Sequence, residues 1–202
     1  MTVRVARLED LEQVSKVHVQ CFPNSFSTQL GSKLLMRFYY EYMKVNPELF
    51  LVAEEDEIVG FCMGYYCGNN QFTKNFVKNN WFRIGLQFIR LAITGNPLFY
   101  EKLGKIFKKS QGFAVVDEEV EAISPDQKGD LLSVCVLDAY RGAGVAQKLI
   151  EAYEEQILQA GKQICLLTVD PKNARAVRFY ERNGYRVLKK APTATGYAKR
   201  LK

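Results

Sequence analysis

Apolar side chains recur along this chain at helix and strand periods, in an order that outlines a fold. Leu131 to Leu137 is almost wholly apolar and rich in β-branched residues, the pattern of a strand covered on both faces. After it Val145, Leu149, Tyr153 and Ile157 recur at four-residue spacing and mark the buried face of a long helix. Gly161 stands where a left-handed cap would end that helix. Upstream, Val3 to Arg7 alternates like a short strand, and Leu8, Leu11, Val14 and Cys21 lie on one face of a first helix. His18 borders that face, which favours a structural role over a catalytic one. A turn-rich link, Phe22 to Ser27, leads to a second helix expected from about Thr28 to Lys44, with Leu30, Leu34, Phe38 and Tyr42 at four-residue steps. Asn46-Pro47 ends it. Phe50 to Ala53 and Ile58 to Tyr66 read as an antiparallel hairpin around Glu55-Asp56-Glu57.

The C-terminal part continues the pattern. Cys165 to Asp170 reads as a strand, and a helix led by Asn173 follows Pro171. Tyr185 to Leu188 and Gly196 to Leu201 read as the last strands, with Ala191 to Gly196 as the loop between them. Asp117 to Glu121 is acidic and reads as a solvated loop or strand edge.

Between Asn69 and Ser110 the pattern changes. Phe72, Phe76, Trp81, Phe82, Leu86, Phe88, Ile89 and Ile93 suggest a helix, broken by Gly95-Asn96-Pro97. Leu98, Leu103, Ile106 and Phe107 suggest a second, shorter one. Eight lysines and arginines here face the single Glu101, a local charge of +7 in a chain of net charge +6. The basic character therefore belongs to one segment. Three readings suit it: a helical hairpin packed on the core with solvated lysines, a lid over an anionic substrate, or an amphipathic surface for membranes. The membrane surface is the least favoured of the three, and nucleic acid is disfavoured because no reading motif accompanies the charge.

Composition narrows the class. With 202 residues, 48% hydrophobic and 25% charged, the chain suits one globular domain over 1–202 that carries this basic insertion at about 69–110. The N-terminal MTVRVARLEDLEQ has no apolar core, so no export signal is expected. Cys21, Cys62, Cys67, Cys135 and Cys165 form no Cys-x-x-Cys pair. They read as reduced, mostly buried residues of a cytoplasmic protein. A single histidine makes a zinc site unexpected, and no metal is expected.

Chemistry concentrates after the central strand. Arg141, Gly142, Ala143, Gly144, Val145 and Ala146 turn the chain from strand to helix. The first N–H groups of a helix lack intrahelical partners, and the helix dipole is positive there. Small residues let a phosphate approach those donors, and Arg141 adds charge. A tight steric connection explains the same glycines without any ligand.

The stretch resembles motif A of the GCN5-related N-acetyltransferase (GNAT) superfamily, Gln/Arg-x-x-Gly-x-Gly/Ala, here Arg141-x-x-Gly144-x-Ala146 after an apolar strand. Asn173, Tyr180 and Gly184-Tyr185 resemble the pieces of its motif B. The resemblance is good from Leu131 to about Leu188 and loose before that. It implies an α/β GNAT (acyl-CoA N-acyltransferase) fold, with a mixed, mostly antiparallel sheet flanked by helices. It implies acetyl-CoA as acyl-donor co-substrate, its pyrophosphate on the N–H groups from Arg141 to Ala146 and its pantetheine along Val134 and Val136. It makes Tyr180 the general acid that protonates the leaving thiolate. Asn173 would bond the cofactor, cap its helix, or both. Asp130, Ser133, Glu54 or a water chain are open as general base. The acceptor implied is a primary amine of a small molecule, with a nucleotide-linked amino sugar or other anionic amine suggested by the basic insertion. The competing classes are a non-catalytic acyl-CoA-binding sensor or scaffold and a peripheral membrane protein. The sequence fixes no oligomeric state.

Overall fold

The computed structural model describes residues 1–97, 99–100 and 113–202. Strand β1 (Thr2–Val5) is followed by helix α1 (Leu11–Cys21), a short helix α2 (Phe26–Gln29) and α3 (Ser32–Met43). The hairpin is β2 (Phe50–Glu54) and β3 (Ile58–Tyr66), and α4 (Gln71–Ile93) leaves it. After β4 (Ala114–Val115) and α5 (Glu118–Ala122) come β5 (Lys128–Val136), α6 (Val145–Gln159), β6 (Ile164–Val169), α7 (Ala174–Arg182), β7 (Arg186–Ala191) and β8 (Ala194–Arg200).

Three expectations are corrected. The helix read from Thr28 to Lys44 is two helices, because Gly31 adopts φ +87° and starts α3 afresh. The loop read from Ala191 to Gly196 is a two-residue turn, with Ala191 opposite Ala194 and the flanking residues paired. The acidic run folds as α5, where the Asp117 side chain accepts from the Val120 N–H at 3.0 Å and caps the helix. The second helix read around Leu103, Ile106 and Phe107 lies outside the described residues.

One eight-stranded sheet organises the chain, in the order β1-β2-β3-β5-β6-β8-β7-β4. Every neighbouring pair is antiparallel except β5–β6. Val145, Leu149, Tyr153 and Ile157, the face expected of α6, are all buried and bring that helix onto one side of the sheet with Cys62, Leu131 and Cys165. α1 and α3 cover the other side through Val14, Leu35, Tyr39 and Tyr42, packed on Phe50, Phe61 and Met63. Tyr39, Tyr42, Phe50 and Phe61 form edge-on aromatic contacts with ring centroids between 5.4 and 5.9 Å apart across this layer. α4 extends the layer by Phe72 and Phe76, which pack against Phe38 of α3.

The centre of the sheet is clasped at Gly64. Tyr42 donates its hydroxyl to the Gly64 carbonyl and accepts the Gly64 N–H at 3.0 Å. From the opposite side Tyr153 donates to the Asp130 carbonyl at 2.8 Å. A Cβ on residue 64 would stand 1.9 Å from the Tyr153 hydroxyl and 2.2 Å from that carbonyl. The first is on a buried ring and the second is backbone, so neither has room to yield. Gly64→Ala is therefore expected to destabilise the fold by about 3 kcal/mol, the upper end of core overpacking. Urea unfolding with an unchanged slope would measure it.

Candidate functional site

The site begins where β5 and β6 part. Their parallel ladder runs from Lys128↔Ile164 to Leu131↔Leu167 and stops, although β5 continues to Val136 and β6 to Val169. A register shift against β3 falls at the same place, pairing Met63 with Ser133 but Gly64 with Leu131. Leu132 is the extra residue of this bulge, and a bulge bends its strand and increases its twist. β6 meanwhile stays paired with β8 through Thr168 and Val169. A wedge opens between the two strands.

The wedge is lined by free backbone. Leu137 donates its N–H to the Val59 carbonyl at 2.9 Å. Bonding alternates along an antiparallel ladder. Val136 and Val134, opposite Gly60 and Cys62, therefore turn their N–H and C=O groups away from β3, toward the side β6 has left. Groups in that position need another partner.

The turn after β5 closes one end of the wedge. Gly142 and Gly144 hold φ +86° and +78°, a left-handed conformation that side chains resist, and a Cβ at either would meet nothing within 4 Å. The space beside both is open. Among the described residues no backbone carbonyl takes the N–H groups from Gly142 to Gln147. Val145 fixes the helix start by burying its side chain while Gly142, Ala143 and Gly144 are exposed. Arg141 differs from the expectation. Its N–H donates to the Asp138 carbonyl at 3.2 Å, its Nε donates to the Val136 carbonyl at 3.2 Å, and its guanidinium pairs with the Asp138 carboxylate. The row of free donors therefore starts at Gly142.

A cleft of about 790 Å³ joins these parts, with Val134, Val136, Ala146, Asn173 and Tyr180 among its walls. Asn173 caps α7, its Oδ1 accepting the Ala176 N–H at 3.1 Å, and capping accounts for its position. Tyr180 packs on Tyr185 at 5.6 Å between centroids, and among the described residues no group bonds its hydroxyl. Burial pushes its phenol up to about 12, so it stays protonated at ordinary pH. The sequence reading missed Cys21, Phe22, Arg175 and Phe179, which also line the cleft. Phe179 and Arg175 sit on the same helix as Tyr180, and its periodicity was the signal for them. Cys21 and Phe22 come from the distant end of α1 and left no local sign.

On the other face of the sheet, just before the wedge, Asp130 lies opposite Tyr65. The Tyr65 hydroxyl donates to its Oδ2 at 3.2 Å. Burial holds the Asp130 carboxyl above the ordinary carboxylate range, while Tyr65 and the charge of Lys189 pull the other way. Glu54 has a different task. Arg4 reaches it with Nε at 2.7 Å and Nη2 at 2.9 Å and holds Asp10 with Nη1 at 2.7 Å and Nη2 at 3.0 Å, tying β1, β2 and the start of α1 together. His18 is structural: Nδ1 lies 2.5 Å from the Tyr39 hydroxyl, Nε2 lies 3.0 Å from Ser27 Oγ, and burial pushes the imidazole down to about 4, hence neutral.

Residues 108–185 match the family model described as the acetyltransferase (GNAT) family. No curated protein matches the chain. Among solved structures, the PaiA N-acetyltransferase from Thermoplasma acidophilum in complex with coenzyme A is 15% identical, with a TM-score of 0.59 and coverage of 99% of this chain and 98% of that one. The putative acetyltransferase yncA from Salmonella typhimurium, with its cofactor acetyl-CoA, is 14% identical, with a TM-score of 0.58 over 100% of this chain and 94% of that one. Chaetomium thermophilum Naa20 in complex with a bisubstrate analogue is 18% identical, with a TM-score of 0.57 over 100% and 87%. Identities at this level speak for the fold. The chain has the GNAT acetyltransferase fold, and its segment 108–185 matches the acetyltransferase (GNAT) family.

Proposed function

We propose that the protein is an N-acetyltransferase: a single domain, with an insertion at about 69–110, that moves the acetyl group of acetyl-CoA to a primary amine of a small molecule by direct attack. The observation that carries this is the wedge, open backbone at Val134 and Val136 leading into unbonded N–H groups at a helix start, with a protonated tyrosine on its wall. These residues fit the co-substrate. Its pantetheine arm is rich in amides, which suit the free groups of Val134 and the N–H of Val136. Its pyrophosphate suits the donors of Gly142, Ala143, Gly144, Val145 and Ala146 and the positive end of α6. Arg175, exposed beside them, adds positive charge.

Acetyl-CoA supplies an activated acetyl thioester. The residues then divide the work. A wedge-side N–H of β5 stabilises charge developing on the carbonyl oxygen. Asp130 takes the proton that the acceptor amine must lose before its nitrogen bonds to the acetyl carbon. Tyr180 gives its hydroxyl proton to the sulfur as the C–S bond breaks. Holding both reactants at the mouth of the wedge supplies much of the rate. The acceptor panel should include phosphate-bearing amines such as nucleotide-linked amino sugars. The five free cysteines suit action in the reducing cytoplasm.

Gly144→Ala tests the donor row. The left-handed backbone makes the change cost about 1–2 kcal/mol of stability, and the added methyl stands where a phosphate would approach. Acetyl-CoA is expected to bind about tenfold more weakly, the loss of about one charge-assisted hydrogen bond, with kcat little changed. Calorimetric titration reads the first and saturation kinetics the second.

Free-thiol release from acetyl-CoA across amino sugars, aminoglycosides, polyamines and peptides tests the reading as a whole. Release that depends on one acceptor class is the expected result. If no acceptor gave release and acetyl-CoA failed to raise the melting temperature, the proposal would be wrong.

A further inference from the structure

α4 carries two features that the transfer reaction does not use. The first is an apolar face left uncovered among the described residues. Phe82, Leu86, Ile89 and Ile93 step by four, three and four positions, which gathers them within roughly a 60° arc of the helix. They are 60%, 52%, 57% and 81% exposed, and Trp81 beside them is 70% exposed. Scattered apolar side chains need no explanation, but a continuous helical face of this kind does.

The second is a basic cleft along one edge of that face. It measures about 740 Å³ and lies between α3 and α4. Lys33 and Arg37 enter it from α3, and Arg83 and Arg90 from α4. No aspartate or glutamate is among its lining residues. It also takes in Gly31 and Ser32, the start of α3, where no side chain caps the helix and the dipole end is positive. Arg83 and Arg90 directly follow Phe82 and Ile89, so each cation is one helical step around from the apolar face. Lys74 and Lys78, both exposed, lie nearer the start of the helix on the opposite side of the apolar arc. Gln87 Nε2 donates to the Gln29 carbonyl at 2.9 Å and Asn96 Nδ2 to Gln29 Oε1 at 2.9 Å, so α4 is tied to α2 with this face turned outward.

These cations are remote from the chemistry. Asp130 and Tyr65 sit near the first turn of α4, where Tyr65 packs on Phe72 at 5.9 Å. Arg83 and Arg90 follow Phe72 by about three and five helical turns, roughly 16 and 27 Å along the axis. They are badly positioned to hold an acceptor at Asp130.

We propose that α4 lies on an anionic lipid surface, with the apolar face of Phe82, Leu86, Ile89 and Ile93 in the acyl boundary and a headgroup phosphate in the cleft of Lys33, Arg37, Arg83 and Arg90. Charge decides the occupant. An apolar face with Arg83 and Arg90 along one edge, and Lys74 and Lys78 before it on the other, matches a bilayer that offers hydrocarbon beneath a layer of negative charge. A second copy of this chain would set the same cations against one another. Among the described residues no helix is long and apolar enough to cross a membrane, so the attachment is to the surface.

Trp81 is the only tryptophan of the chain and reports on this face directly. The whole protein is mixed with phosphatidylcholine vesicles, with or without phosphatidylglycerol, and followed by flotation and Trp81 emission. Co-flotation and a blue shift are expected only with phosphatidylglycerol, and both should weaken with salt. Arg83→Gln with Arg90→Gln should weaken partitioning about 25-fold, since one basic side chain near such a surface is worth about fivefold. Leu86→Asn with Ile89→Asn should abolish it. Both pairs are at the surface, so their melting temperatures should stay at the wild-type value. Three results would each overturn the proposal: no flotation at low salt, equal flotation with uncharged vesicles, or a dimer in sedimentation that Leu86→Asn with Ile89→Asn breaks. Inorganic phosphate that binds while vesicles do not would leave the cleft an anion site and remove the lipid.

Discussion

Tyr180→Phe should lower kcat for acetyl transfer about 10²- to 10⁴-fold, the usual range for a positioned general acid, while acetyl-CoA binds as before. The change removes one oxygen and leaves the ring, so the packing on Tyr185 and Phe179 survives. What disappears is the proton that the leaving sulfur receives. The phenol is well placed to supply it. Tyr180 lines the cleft, and burial pushes its phenol up to about 12, so essentially every molecule carries the proton at neutral pH. Asn173 gives the internal comparison. It lies on the same cleft seven residues earlier, and its side chain is spent on capping. Asn173→Ala should therefore cost about 1 kcal/mol of stability and little turnover. Kinetics at saturating acetyl-CoA, with binding followed separately, distinguish the two. Turnover unchanged in Tyr180→Phe would leave that residue a packing aromatic.

The donor half of this site was legible because it is local. A strand, a glycine turn and an amphipathic helix follow one another within one continuous stretch, and each leaves a periodic or conformational mark. Val145, Leu149, Tyr153 and Ile157 are buried as their spacing requires, and Gly161 closes α6 with φ +75°. The pairing of Tyr65 with Asp130 was not legible for the opposite reason. Tyr65 and Asp130 are 65 residues apart, and only the register of β3 on β5 brings them together. Of the four candidates for the base, Asp130, Ser133, Glu54 and a water chain, Glu54 is held by Arg4. α4 shows a further limit. Its apolar periodicity is the same whether a face meets core or solvent, so the sequence could announce the helix but not that Phe76 is buried while Phe82 and Ile93 are exposed. Turn lengths were misread where polar or small residues continue a strand, as between Ala191 and Gly196. There the register with β7 and β6 decides, and register is a tertiary property.

Asp130→Asn should lower kcat/KM for the amine about 10²- to 10³-fold, within the range of a lost general base, and should remove the acidic limb of its pH profile. The amine arrives mostly protonated at neutral pH, and Asp130, just before the wedge, is a partly buried carboxylate that no ion pair holds among the described residues. Burial raises its carboxyl above the ordinary range of about 4. The wild-type rate should therefore climb with pH through a value higher than an exposed aspartate would give. Tyr65 sharpens the test. Its hydroxyl bonds Oδ2 and favours the charged form. Tyr65→Phe should thus move the acidic limb to higher pH while keeping the base, a shift that a structural role for Tyr65 would not produce. Stability should run the other way from activity. A carboxyl whose pKa is raised by folding stabilises the fold only below its unfolded pKa, and that contribution is lost as pH rises through the folded value. At neutral pH the fold then holds a poorly solvated charge. Asp130→Asn keeps the shape and removes that charge, so its melting temperature should equal or exceed that of the wild type. A variant that is inactive and yet at least as stable marks Asp130 as held for chemistry. If activity and melting temperature fell together, Asp130 would be a structural partner of Tyr65, and the base would have to be sought elsewhere on the acceptor face.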